Sequence, residues 1–152
     1  MDLKTKLLEA NIILDDKFYQ DIDIFIKAIL EWNKIHNLTG AKTKEDIIMN
    51  ILDSLYPLAF LPKVKTILDI GTGAGFPGLI LAMALPEIDV ILAEPRRKRT
   101  AFLNYIKATC GLDRVIVQNK RVEDIQPQKI DLITSRAVTN TKKLIDLSRN
   151  FV

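Results

Sequence analysis

TILDIGTGAGFPGL, Thr66 to Leu79, runs an apolar segment into an acid, then three glycines spaced by two, then Phe-Pro-Gly opening a second apolar segment. A strand, a glycine-rich turn and a helix in that order form the floor of ligand sites in open α/β folds. Read from Gly73, GAGFPG satisfies G-x-G-x-x-G, and Glu94 closes the next apolar run, where an acid for ribose hydroxyls belongs. Two residues argue against a dinucleotide. Asp69, two residues before Gly71, puts a carboxylate where a pyrophosphate would be repelled. Pro77, at the first turn of the helix, has no N–H to offer an anion.

A ligand with cationic centres reverses the sign of that argument. S-adenosylmethionine carries a sulfonium, an ammonium and no phosphate, so a carboxylate at the strand end favours it, while close-approaching glycines and a ribose acid are still needed. The pattern therefore points to a methyl-donor site. The bland alternative, a turn that only joins strand to helix, requires three spaced glycines and two well-placed acids to coincide.

Outward from the turn, short β-branched runs alternate with amphipathic stretches. VKTILDI, DVILAE, DRVIVQNK and KIDLITSR are predicted strands; FPGLILAMAL, RRKRTAFLNYIKATCG and TKKLIDLSRN are predicted helices, the second stopped by Gly111. Strands separated by helices imply right-handed crossovers and a parallel, Rossmann-like sheet covered on both faces, with the first strand central. Before Pro62 the pattern is helical. Phe18, Ile22, Phe25, Ile29 and Trp32 recur at helical spacing over about Asp15 to Asn37, and Ile48, Ile51, Leu52, Leu55 and Leu58 form a second stripe. The predicted organisation is a helical segment, 1–62, packed on an α/β core, 63–152, as one structural domain.

Composition limits the rest. With 152 residues, 48% of them hydrophobic, the chain is long enough for one sizeable core and short for two ordinary domains. A charge of +3 suits an anionic partner without specifying one. The single cysteine, Cys110, excludes an intrachain disulfide and a CxxC metal site, and no metal is expected. The sequence shows neither a signal peptide nor a stretch able to span a bilayer, so a cytoplasmic protein without a membrane partner is expected.

Six stretches in order resemble the RsmG/GidB family, whose members methylate N7 of a guanine in small-subunit ribosomal RNA: EWNKIHNLTG, ILDSLYPL, LDIGTGAGFPGLILA, EPRRKRTAFL, KRVEDI and DLITSRAV. The glycine turn alone would name only a superfamily; Trp-Asn with Asn-Leu-Thr, Phe-Pro-Gly and Ser-Arg-Ala together are specific. Asn50 stands where the family often has histidine, and the chain stops at Val152, where the family continues with a fifth strand and a closing antiparallel pair.

The resemblance implies S-adenosylmethionine as cofactor and assigns residues to it. Gly71, Gly73 and Phe76 match the turn against the methionine part, Glu94 the ribose acid, Val122 and Glu123 the pair beside the adenine, and Arg136 the arginine of the Ser-Arg-Ala turn. Phe76 has a rival reading as a core staple, and Glu123 one as a helix-start acid favoured by the dipole. Arg136 also stands where a residue positioning the substrate would.

Arg96, Arg97, Lys98 and Arg99 put cations on the first turn of a helix, where each is unfavourable by about 0.3 to 1 kcal/mol. Glu94 offsets part of that, and RNA phosphates would offset more. With Lys120, Arg121 and Arg136 they form a candidate basic rim for small-subunit ribosomal RNA or the small subunit itself. The alternative is a solvated face. Trp32 is predicted to lie in the core, and His36 to be an exposed helix-end residue rather than a base. No catalytic residue is assigned: N7 of guanine carries a lone pair and no proton, so an in-line displacement needs nothing deprotonated. Proximity and orientation can supply about 7 to 11 kcal/mol. Two other functions stay open: a small-molecule methyltransferase, and a non-catalytic donor- or RNA-binding remnant. With no fifth strand, IDLITS presents an open apolar edge, expected to promote self-association and to weaken catalysis more than donor binding.

Overall fold

The computed structural model describes residues 2–136 and 141–152. Helix α1, Leu3–Glu9, starts where the Asp2 carboxylate accepts the Lys4 N–H, and is not among the helices predicted from apolar spacing. Helix α2, Asp16–His36, is capped by Asp15, which accepts the Phe18 N–H at 2.9 Å, and ends at Asn37 in the left-handed region. Its predicted stripe is buried from Phe18 through Ile29. Helix α3, Lys44–Leu55, is capped by Thr43 and carries Glu45 and Asp46 in its first turn, where the dipole favours acids. Leu58, predicted on the stripe of this helix, lies instead in a 3₁₀ turn, Tyr56–Ala59. Pro57 is the reason: it has no N–H and disfavours helix in the residue before it.

The α/β core contains four strands: β1, Thr66–Ile70; β2, Asp89–Ala93; β3, Val115–Gln118; and β4, Leu132–Ser135. All pairs are parallel and the order is β3-β2-β1-β4, with Leu68 of β1 level with both Ile91 and Ile133. Between the strands run α4, Gly78–Ala84, and α5, Arg97–Cys110, the latter ended by Gly111 at φ 65° as predicted. Helix α6, Thr141–Ser148, and a 3₁₀ turn, Arg149–Phe151, complete the described chain.

Strand β4 starts two residues later than the predicted Ile130, and its residues are half-buried rather than buried. The cause is local. Ile130 donates its N–H to Phe151 O at 2.8 Å, and the Asp131 carboxylate accepts the N–H groups of Lys65 and Thr66, so both residues are committed outside the ladder. β4 pairs with β1 alone among the described strands, which makes it the sheet edge.

One face of the sheet is covered by Phe151, Leu144 and Leu147 over Leu68, Ile70, Ile91 and Ala93. On the other, a single apolar cluster joins the N-terminal helices to α4, α5 and the strands. Phe25 is its junction. Its ring meets Phe76 edge-on at 5.5 Å and Phe102 at 5.8 Å, so one α2 side chain braces both the glycine turn and α5. No helix of the described residues is long and apolar enough to cross a membrane.

Phe25→Ala therefore leaves a cavity beneath the turn as well as losing apolar burial. Urea unfolding should show a loss of about 3 to 5 kcal/mol; a loss below about 1 kcal/mol would mean that the junction carries no more than an ordinary surface contact.

Candidate functional site

The strand order reverses at β1: the chain moves from β1 to β2 on one side and places β4 on the other. Ligands in open parallel sheets bind in the crevice at such a reversal, outside the C-terminal ends of the strands. Gly71 follows β1, Glu94 follows β2 and Arg136 follows β4, so three predicted site residues meet there.

The glycine turn directs its donors inward. Gly71 and Thr72 give their N–H groups to Ala93 O, Gly75 and Phe76 give theirs to Thr72 O, Gly73 donates to Glu94 Oε1 at 3.0 Å, and Gly78 donates to Asp69 Oδ2 at 2.8 Å. Pro77 has none to give. A phosphate cradle needs several outward backbone N–H groups, and from Gly71 to Gly78 every N–H but that of Ala74 has such a partner among the described residues. Gly71, Gly73 and Gly75 hold φ values of 65°, 62° and 114°, conformations that favour glycine. Gly78 is required for a different reason: a Cβ there would stand 2.6 Å from the Asp69 side chain and 2.5 Å from Leu92.

Asp69 departs from its predicted place. Expected to face a cationic ligand, it is fully buried beneath the turn, with Oδ2 taken by Gly78 and Oδ1 accepting the Thr134 hydroxyl at 3.0 Å. It is a strut between β1, β4 and the first turn of α4. Burial pushes its carboxyl up to about 7, against the pull of Thr72, Gly78, Thr134 and the Arg136 charge. The Thr72 hydroxyl lies near enough to contribute to that pull but meets no hydrogen-bond geometry, and has no partner among the described residues.

Glu94 is a second strut. Oε1 takes the Gly73 N–H and Oε2 the Arg96 N–H at 2.9 Å, while Asn119 Nδ2 donates to the backbone carbonyls of Glu94 and Pro95. The residue is buried, yet each carboxylate oxygen has a further lone pair. Arg99, predicted on the basic rim, is half-buried with its guanidinium 3.8 Å from Glu94. It sits one helical turn in and compensates the buried acid. Arg96, Arg97, Lys98, Lys120 and Arg121 are exposed.

Two cavities share Gly71. One, of about 320 Å³, lies towards β3 and is lined by Val122, Glu123, Arg96 and Lys120. Val122 is buried and Glu123 exposed, both on a 3₁₀ turn, Val122–Asp124. The other, of about 380 Å³, is lined by Gly73, Phe76, Asn50, Arg136 and the segment Leu38 to Ala41. That segment is held by Asn33, which accepts the Thr39 N–H and donates to Ala41 O. Phe76 bears out its reading as a core staple, since its ring meets Phe25, and the Arg136 guanidinium lies 5.8 Å from its centroid. Arg136 also donates to Asn50 Oδ1 at 2.8 Å. Ala137 and Val138, the end of the DLITSRAV stretch, lie outside the described residues.

Asn33, Asn50 and Thr134 are site residues to which the sequence alone assigns no role. Asn33 lies inside a motif that was singled out, so a signal was present; Thr134 is one more β-branched residue in a strand and carried none. Trp32 is half-buried against Phe102 and Tyr105, and His36 is half-buried against Trp32 rather than exposed. Cys110 lies at the far end of α5, where burial raises its thiol to about 11.

Residues 18–152 match the family model described as rRNA small subunit methyltransferase G. The chain is 55% identical over 146 residues to the ribosomal RNA small subunit methyltransferase G of Aliarcobacter butzleri, covering 95% of this chain and 75% of that one. It is 47% identical to the protein of the same name from Wolinella succinogenes, covering 99% and 78%. Among solved structures it resembles coclaurine N-methyltransferase bound to N-methylheliamine and SAH, with a TM-score of 0.63 at 16% identity over 99% of this chain and 52% of that one. A putative S-adenosyl-L-methionine-dependent methyltransferase from Methanococcus maripaludis has a TM-score of 0.59 at 15% identity, over 84% and 57%. These two structures bear on the fold alone.

The Asp69 strut predicts a pH dependence. The folded carboxyl titrates near 7 and the unfolded one near 3.8, so between those values the folded state holds a proton that the unfolded chain has lost. Its contribution is complete below 3.8, falls as pH rises and is lost above about 7. Asp69→Asn removes the titration and keeps the shape. The difference in denaturation midpoint between wild type and D69N should move against the wild type from pH 4 to pH 7 and then level off; a constant difference would contradict the assignment.

Proposed function

The chain belongs to the rRNA small subunit methyltransferase G family, and on that premise we propose that it binds S-adenosylmethionine across the C-terminal ends of β1 and β2 and methylates N7 of a guanine in small-subunit ribosomal RNA. The observation that carries this reading is the inward-turned glycine loop, which offers a phosphate no cradle and a phosphate-free ligand a smooth backbone wall. The two cavities fit the donor's two ends. Beyond Gly73 nothing lies within 4 Å of where a Cβ would stand, so the missing side chain is space for a ligand. Val122 supplies an apolar wall and Glu123 an acceptor on the adenine side; Gly73 and Phe76 border the methionine side. Glu94, under the turn between them, uses its remaining lone pairs for the ribose hydroxyls.

When bound, the sulfonium supplies an activated methyl carbon and departs neutral. The protein's own task is placement. Neither His36 nor Cys110 lines either cavity, and no group there has to accept a proton, because guanine N7 presents a bare lone pair. The residues at the mouth are cations suited to phosphates: Arg96 and Lys120 at one cavity, Arg97 and Lys98 on the first turn of α5, Arg136 at the other cavity. We also propose that the β4 edge allows weak self-association, which sedimentation velocity over a range of concentrations reads directly.

The direct test of function is transfer of labelled methyl to small ribosomal subunits and to the naked RNA, with the modified nucleotide mapped. Label on a guanine N7 is expected; label on another atom, or none, would overturn the proposal. Glu94→Gln sets an amide N–H₂ against a backbone N–H and removes the charge, and should weaken donor binding by about 1.5 to 3 kcal/mol in calorimetry. A lower melting temperature with unchanged donor affinity would leave Glu94 as a strut only. Arg97→Gln with Lys98→Gln should flatten the slope of log affinity for RNA against log salt by about 1.4 to 1.8. Because the same change removes two cations from a helix N-terminus, it should raise thermal stability. An unaltered salt slope would make these residues a solvated face.

A further inference from the structure

Trp32, His36 and Tyr105 form an aromatic shelf at the surface where α2 packs on α5. The Trp32 ring meets the buried Phe102 at 5.4 Å, and its centroid lies 5.6 Å from that of Tyr105 and 5.7 Å from that of His36. Trp32 alone would roof Phe102. Tyr105 is 45% exposed, Ile35 beside His36 is 77% exposed, and Trp32 and His36 are only half-buried, so the shelf carries more open ring surface than the core beneath it needs. Apolar side chains grouped in this way mark a docking place.

The charge around the shelf selects the partner. Residues 32–44 carry three lysines and residues 96–112 carry five Lys or Arg, and neither stretch contains an acid, in a chain with 19 Asp and Glu. Lys34, Lys42 and Lys98 are exposed and form no ion pair among the described residues. Lys98 precedes Phe102 by four positions and Tyr105 by seven, which places it at the N-terminal end of the same row of α5. Open rings among unpaired cations fit a strand that offers one base and one phosphate per step. A duplex offers the phosphates but keeps its base faces stacked inside.

Resting on the reading above that the substrate is RNA, we propose that the shelf holds an unpaired base flanking the target guanine: the base stacks on the Tyr105 ring against Trp32 and His36, and Lys98 pairs with its phosphate. The place suits this role. Helix α2 ends at His36, and residues 38–41, which follow directly, wall the Gly73 cavity, so a strand lying on the shelf runs towards the mouth of that cavity. The shelf touches no reacting atom. Its energy is therefore uniform binding, felt in KM rather than in kcat.

Trp32 is the chain's single tryptophan, so its fluorescence reports on the shelf alone. The full chain is titrated with a single-stranded oligoadenylate of about eight nucleotides and with a G·C-rich RNA duplex of matching length. The single strand should quench Trp32, and the duplex should bind without quenching. Tyr105→Leu removes the ring, keeps an apolar side chain and improves helix propensity, so α5 is not weakened. Y105L should bind the single strand about tenfold more weakly, the scale of one stacked base, and the duplex within about twofold of wild type. Tyr105→Phe keeps the ring and should bind both as wild type does. On small-subunit ribosomal RNA, Y105L should raise the RNA KM about tenfold while kcat and donor Kd stay within about twofold. Unquenched Trp32 at saturating single strand, equal quenching by the duplex, or wild-type affinity in Y105L would overturn the inference. So would normal methylation of naked RNA by Y105L with a loss confined to assembled subunits, which would give the shelf to a ribosomal protein. Quenching together with the Y105L loss, in a chain that methylates no RNA, would support the shelf and overturn the functional reading alone.

Discussion

One buried carboxylate decides what this pocket can hold. Asp69 sits at the end of the central strand with no exposed surface, and takes the Gly78 N–H on one oxygen and the Thr134 hydroxyl on the other. The first donor belongs to the helix N-terminus that would otherwise receive an anion; the second belongs to the neighbouring strand across the strand-order reversal. With Gly78 committed, the chain between folds back on Thr72, Ala93 and Glu94, which take all of its remaining N–H groups but that of Ala74. A glycine pattern that in sequence satisfies a phosphate-binding fingerprint thereby becomes a wall whose donors, Ala74 apart, are used within the fold. The same carboxylate requires glycine at 78, because a Cβ would occupy the space it fills.

The N-terminal helices belong to this arrangement rather than standing apart from it. Phe25 on α2 presses on Phe76 in the turn, α3 presents Asn50 to Arg136, and Asn33 shapes the segment Leu38 to Ala41 that walls the same cavity. Packing and site are one structure: the face of α2 that stabilises the core also sets the height of the turn. Charge follows the same economy. The buried acid Glu94 ties β2 to the turn, Arg99 compensates it from inside, and the other cations around it are exposed to solvent.

The fold was legible in the sequence because its signals are local. Apolar spacing placed α2, Gly111 placed the end of α5, and alternating strands and helices gave the parallel order with β1 inside. The misses occur where one residue is overruled by a partner far along the chain. Ile130 looked like strand and was claimed by Phe151; Leu58 looked like helix until Pro57 ended it. At the site, the residue types near the ligand could be named, since an acid, a glycine or an arginine after a strand has few uses. Their direction could not. Asp69 was expected to point outward and points inward, because its partners Gly78 and Thr134 lie 9 and 65 positions away and only the folded sheet brings them together. Asn50 was visible as a departure from the family's histidine, but its contact with Arg136, 86 positions away, was hidden for the same reason.

The central claim is that the glycine turn accepts a phosphate-free methyl donor and rejects a dinucleotide. Calorimetric titration of the full chain with S-adenosylmethionine, S-adenosylhomocysteine and NAD, at one pH and salt, tests it most directly. The account predicts saturable binding of the first two and no detectable binding of the third. Binding of NAD as tight as that of the methyl donor would contradict it.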